Sequence, residues 1–303
     1  MSATMLQLIQ QATAEMGISV PASIAGNQTQ EVVQMLALLN AVGYEVQREH
    51  QWQRMTQAHI FNSAYTATTG DVTSGSAVVT NIPSTTGLSS YYQAVGTGIN
   101  NATNILTVDS ATQVTLDQPA TASGTGVSIT FSQVKYDFPA GFDRLIDRTD
   151  WDKSQHWEML GPETAQQWQW LKSGYISTGP RVRFRQLDNL FQIWPALAAT
   201  HSLGFEYMSN YWVATSSSAQ PSATSFTVDT QTCIFPDRLM VLGLKLKFFE
   251  VKSFDTTALM RDYRMQLDIA KAADAGSPNL SFAPRISTVL IGWENIPDSG
   301  YGS

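Results

Sequence analysis

Three arginines carry the first chemistry in this chain. Arg181, Arg183 and Arg185 alternate with Val182 and Phe184. A period of two places the three guanidiniums on one face of a strand and the apolar pair on the other. Three like charges in a row repel, so a counter-charge is expected, from an acidic partner surface or from passing nucleic acid. The other reading is an edge strand that uses charge to discourage aggregation. Asp143, Asp147, Asp150 and Asp152 cluster beside Arg144 and Arg148. Two acids could form a glycosidase pair. A local ion-pair network explains them as well, because acid–base work needs a carboxyl shielded from such charges.

Other reactive side chains give weaker signals. His50, His59, His156 and His201 lack metal-ligand spacing. Cys233 is the one cysteine, set between Thr232 and Ile234-Phe235, and reads as a buried inert thiol. A single cysteine excludes an intramolecular disulfide and a multi-cysteine zinc site. Gly96-Thr97-Gly98 and Gly124-Thr125-Gly126 open no helix and are followed by no lysine, so they read as turns rather than phosphate cradles. The eight tryptophans could stack on sugars, but core or subunit-interface packing is the commoner use. No catalytic, cofactor-binding or metal residue is nominated, and no cofactor is expected.

The elements that position these residues follow from periodicity. Met5, Leu6, Ile9 and Ala12 predict a first helix ending at Gly17-Ile18, and Val32 to Val46 predict a second over Thr29 to Glu49. Between Arg54 and Lys135 there is no Lys or Arg, and Thr, Ser, Gly, Val and Ala dominate. Short alternating runs at Ser76–Thr80, Ile105–Val108, Gln113–Leu116 and Val127–Phe131 predict five or six strands there. Gly161-Pro162-Glu163 predicts a short helix with proline at its first position and Gly174 at its end. Arg181 to Trp194 predicts a hairpin turning at Asp188-Asn189, and Leu203 to Val213 a further strand. Pro236 to Lys252 is apolar nearly all round and predicts a buried helix; Asp255 or Thr256 caps another that stops at Gly276. From Pro278 the chain reads as extended.

The expected fold is therefore α+β. Helices at 1–60 and 236–277 form one bundle, interrupted by an inserted β-domain at 61–135 and a mixed region at 136–235. An extended arm at 278–303 completes it. Of the 303 residues 43% are hydrophobic and 14% charged, too apolar for disorder, and the net charge of −7 excludes a general nucleic-acid footprint. No apolar run is long enough to span a membrane, no secretory signal is visible, and the chain reads as made in a reducing cytoplasm.

This order of helical pair, Thr/Ser/Gly-rich β insertion, hairpin, late helices and extended tail resembles the head-to-tail adaptors of tailed bacteriophages, also called tail tubular protein A or head-completion proteins. Gly161-Pro162-Glu163-Thr164-Ala165-Gln166-Gln167-Trp168 and the run from Phe235 to Phe254 are similar to segments of phage structural proteins. Val78–Pro83, Gly96–Ile99 and Val108–Thr112 are similar to β-segments of phage head and tail proteins. The resemblance implies a non-enzymatic virion protein at the head–tail junction, made in the host cytoplasm. It implies a homo-oligomeric ring, typically a dodecamer, that docks beneath the portal protein and continues the DNA channel without sequence-specific DNA binding. A distal tail or nozzle protein, or a tail fibre, is the further partner, and no membrane is involved. It marks Arg181, Arg183, Arg185 and Trp194 of the hairpin, and Ile286, Trp293, Ile296 and Tyr301 of the arm, as contact residues. The rivals are another tail tube, nozzle or terminator component, and a carbohydrate-binding or glycan-cleaving tail protein using exposed tryptophans and the Asp143–Asp152 cluster.

Overall fold

A computed structural model describes residues 2–173, 181–217 and 219–275. The chain is mixed α and β, with small antiparallel sheets. Its helices among these residues are α1 (Met5–Met16), α2 (Gln30–Glu49), α3 (Ala165–Lys172), α4 (Asp237–Val251) and α5 (Thr257–Ala275). The nominated arm residues Ile286, Trp293, Ile296 and Tyr301, and the expected helix end at Gly174, lie outside the described residues.

Local chemistry sets the helix ends. Thr4 and Gln7 form a capping box at the start of α1, and Gly17 ends it in the left-handed conformation at φ 71°, with the Ile18 N–H on the Thr13 carbonyl. Asp255 Oδ1 accepts the Thr257 N–H at the start of α5. The short helix differs from expectation: α3 begins at Ala165, and Pro162 lies before it. Thr164 and Gln167 form the capping box there, and this fixes the start three residues past the proline. Leu8, Ile9, Met35, Leu39, Val42, Leu239, Leu244, Phe248 and Leu267 share one buried cluster, so α1, α2, α4 and α5 bury their apolar sides together. α4 is central to it, as its nearly continuous apolar surface requires.

The first strands in chain order are β1 (Thr56–Asn62), β2 (Tyr65–Val72), β3 (Val78–Val79), β4 (Tyr92–Gly96), β5 (Ile105–Ser110), β6 (Gln113–Leu116) and β7 (Gly124–Gln133). β2, β7 and β4 make one sheet, and β3, β6 and β5 another. Both close over their own core of Val79, Ile105, Val114, Ile129 and Phe131. This unit leaves the chain where it entered: Tyr65 pairs with Ser132, and the Gln133 N–H donates to the Ala64 carbonyl at 2.8 Å.

Next come β8 (Lys135–Asp137), β9 (Phe142–Leu145), β10 (Trp151–Asp152), β11 (Trp157–Glu158), β12 (Arg183–Leu187), β13 (Leu190–Trp194), β14 (Ser202–Ser209), β15 (Val213–Ala214) and β16 (Thr232–Cys233). β12 and β13 form a hairpin whose two turn residues, Asp188 and Asn189, both have positive φ, as a two-residue loop of this hand needs. β8 adds beside β13. β1, β14, β10 and β11 make a five-stranded sheet with β9, which also pairs with β14. The strand expected to run to Val213 stops at Ser209. Its register shifts there, and the Asn210 N–H turns to the Gly141 carbonyl, leaving Tyr211 off the strand.

The three-stranded and five-stranded sheets stack through aromatic rings. Phe184 and Phe191 of the first meet Leu203, Phe205 and Tyr207 of the second, with the Phe191 and Phe205 rings 5.0 Å apart. Each sheet therefore has one inner face and one outer face. On the outer face of the three-stranded sheet, Trp168 and Leu171 of α3 pack on Trp194 and Ala102.

Candidate functional site

The arginine ladder takes shape in β12 as its alternation requires. Phe184 is buried in the aromatic core, whereas Arg183 and Arg185 point to the outer face. Arg181 is exposed and precedes the strand. The three arginines differ in how their charge is met. Arg183 Nη1 lies 2.6 Å from Glu163 Oε1, whose side chain is only 8% exposed, so this charge is answered within the chain. Trp194, directly across from Arg183, is buried under α3, and its ring is engaged internally.

Arg185 is different. Among the described residues no carboxylate pairs with it. Across the sheet it is in register with Gln192, which is in register with Lys135 of β8. Adjacent strands are about 5 Å apart, so Arg185 and Lys135 stand about 10 Å apart on the same face. Lys135 Nζ donates to the Ser90 carbonyl at 3.1 Å and has no carboxylate partner among the described residues. The last residue of α3, Lys172, enters from above, its Nζ 5.0 Å from the centre of the Trp168 ring. Burial lowers the Lys172 ammonium below its ordinary value, and the positive charges of Lys135 and Arg185 push it the same way. Asp117 and Asp188 oppose them. The result is a nook of three cations, lined by strand, helix and the edge of the inserted β unit, in a chain of net charge −7.

No family model matches the chain, and no curated protein matches it either.

The acidic cluster lies on the other sheet. The expected local network forms only in part: Arg144 is 3.6 Å from Asp143, while Arg148 reaches Glu158 at 3.5 Å. Asp147 has no cation partner among the described residues. Asp152 Oδ2 is 2.6 Å from His201 Nδ1, and its Oδ1 accepts the N–H groups of Ser154 and Gln155. These contacts staple the β10–β11 turn to the start of β14. Asp150 is 2% exposed, and its Oδ1 has no hydrogen-bond partner. Burial, with the charges of Asp147 and Glu158 beside it, pushes this carboxyl up to about 7. The value is that of a general acid, yet a carboxyl this deep touches no solvent-borne substrate in this conformation.

The remaining candidates are structural in their contacts. Cys233 is buried, donates to the Phe235 carbonyl, and has its thiol pushed up to about 12 by burial. Trp52, Trp168, Trp194 and Trp212 are core residues, whereas Trp157 and Trp170 are exposed. Among the described residues no three His, Cys, Asp or Glu side chains gather closely enough to hold a metal ion. No described helix is long and apolar enough to cross a membrane. Sequence spacing brought Arg183 and Arg185 to one face, but it missed Lys135 and Lys172. They join the nook only through sheet register and the docking of α3. The one signal available was that Lys135 is the first cation after a run of 80 residues without one.

Proposed function

We propose that this chain is a structural protein of a tailed-phage virion, an adaptor whose copies form a ring between the capsid portal and the tail. One observation carries the reading. Helices drawn from both ends of the sequence bury their apolar sides in one cluster, and the chain between them builds separate β units. That is the architecture on which the resemblance to head-to-tail adaptors rests. In this reading the terminal helices form the bundle that is the body of each protomer, and residues 278–303, outside the described residues, contact the portal. The ring, a dodecamer in the resemblance, continues the DNA channel at the head–tail junction. A net acidic lining lets DNA slide, because tight binding needs phosphates to be neutralised. A distal tail or nozzle protein, or a fibre, takes the other face.

Mass photometry of the chain, alone and mixed with the portal protein of the same phage, tests this. The expected product is a closed complex with one copy per portal subunit. A chain that stays monomeric and ignores the portal overturns the reading and favours a distal tail component.

A further inference from the structure

The three-cation nook and the acidic corner lie on opposite outer faces of the stacked sheets. Phe184 and Tyr136 point into the aromatic core, so their neighbours Arg185 and Lys135 point out of one side. Phe205 and Tyr207 point into the same core from the other sheet, so Glu206 between them points out of the opposite side. The 146–150 turn sits beside Glu206: the Ile146 N–H donates to the Glu206 carbonyl, and the Glu206 N–H to Thr149 Oγ1. Asp147 of that turn and Glu206 are both exposed, and neither has a cation partner among the described residues. The nearby cations Arg144 and Arg148 are already engaged with Asp143 and Glu158; Lys153 lies beside Gly204.

The nook has the opposite surplus, of positive charge. Arg185, Lys135 and Lys172 are donors only, and of the two acids near them Asp117 already accepts from the Asn104 backbone and side-chain N–H groups. Asp117 and Asp188 flank the three cations closely enough to act on Lys172. Those acids disfavour a nucleic-acid strand, which binds along an extended run of neutralised phosphates. Three cations against two acids leave one positive charge over, enough for a single carboxylate from outside but not for a run of phosphates. A second copy of this acidic chain presents such carboxylates at Asp147 and Glu206.

We infer that the Arg185–Lys135–Lys172 nook of one copy receives the Asp147–Glu206 corner of the next. The two surfaces cannot meet within one protomer. Their contact is therefore head-to-tail, the kind that closes a ring or continues a filament. This deepens the adaptor reading and rests on it.

A charge swap tests the contact. Self-association is measured by sedimentation velocity in a salt series and, on the portal, by mass photometry. Arg185→Glu alone and Glu206→Arg alone are each expected to weaken association about tenfold, most at low salt. The chain carrying both substitutions is expected to regain it, as is an equimolar mixture of the two single variants. Thermal melts check that each variant folds, and Arg185→Gln gives a milder version of the loss. Rings that form equally well with either reversal, or no recovery in the double variant, overturn the inference and leave the adaptor reading standing. Unchanged association with loss of binding to a short DNA duplex in Arg185→Glu assigns the nook to nucleic acid and overturns it too. A chain that neither self-associates nor binds the portal overturns both.

Discussion

Asp150 is a carboxyl that folding places where its charge is unwelcome. Its ordinary value is 3.8 and its folded value about 7, so the folded state holds the proton more tightly than the unfolded chain does. The sign follows from linkage: the native state is favoured most below about pH 4, loses stability as pH rises towards 7, and changes little from this group above that. The difference is on the order of 4 kcal/mol. Asp150→Asn keeps the shape and removes the titration. Urea unfolding at pH 4 and pH 8 should show the variant equal to the wild type at acid pH and more stable at alkaline pH. A parallel pair of curves would mean that Asp150 is solvated in the native state. The Arg183–Glu163 pair makes the opposite case, a buried charge already answered. Arg183→Met strands the Glu163 carboxylate and is expected to cost about 2 kcal/mol, most of it recovered by adding Glu163→Gln. Denaturant melts of the two single variants and the double variant close that cycle; additive losses would deny the coupling.

At the scale of elements, glycines set two close approaches of α2, Gly243 of α4 against Val42 and Gly43 against the Trp212 ring outside both helices. A Cβ on Gly43 would run into the Trp212 ring, and one on Gly243 would meet Val42 Cγ1 at 2.5 Å. Alanine ordinarily strengthens a helix over glycine by about 1 kcal/mol. Here Gly43→Ala is expected to destabilise by about 1–2 kcal/mol net, because overpacking around a fully buried indole exceeds that gain. A thermal melt that rises instead would show that Trp212 moves aside freely. Much of this level was legible in the sequence. Gly17 ended α1, the Leu- and Phe-rich run of α4 announced its burial, and Asp188-Asn189 announced the hairpin turn, since each signal is local. β2 was harder: Tyr65 to Thr69 is mostly Thr and Ala, with no apolar alternation to mark an inner face. The nook was half legible. Period two aligned Arg183 and Arg185, but which of them stays unanswered depends on Glu163, twenty residues away and brought there by the start of α3.

At the scale of the whole molecule, the inserted β unit stands on its own core and is tied to the rest mainly at its base. Ala102 against Trp168 and Trp194, Lys135 on Ser90, and the Tyr91 hydroxyl on Asp137 are among its side contacts with the sheets and α3. Residues 64–133 expressed alone are expected to unfold cooperatively, with the marginal stability of so small a domain. Circular dichroism melts of that fragment check it; a non-cooperative fragment would make the unit dependent on the sheets beneath. Its strand geometry also has a mechanical side. The entering and leaving strands, β2 and β7, are neighbours in register from Tyr65–Ser132 outward. Tension drawn between the two sides of this base would load their hydrogen bonds one pair at a time, as a zip opens, rather than all at once in shear. The unit would then peel away at low force while the helices and stacked sheets stay folded, a yielding fuse on a body that holds.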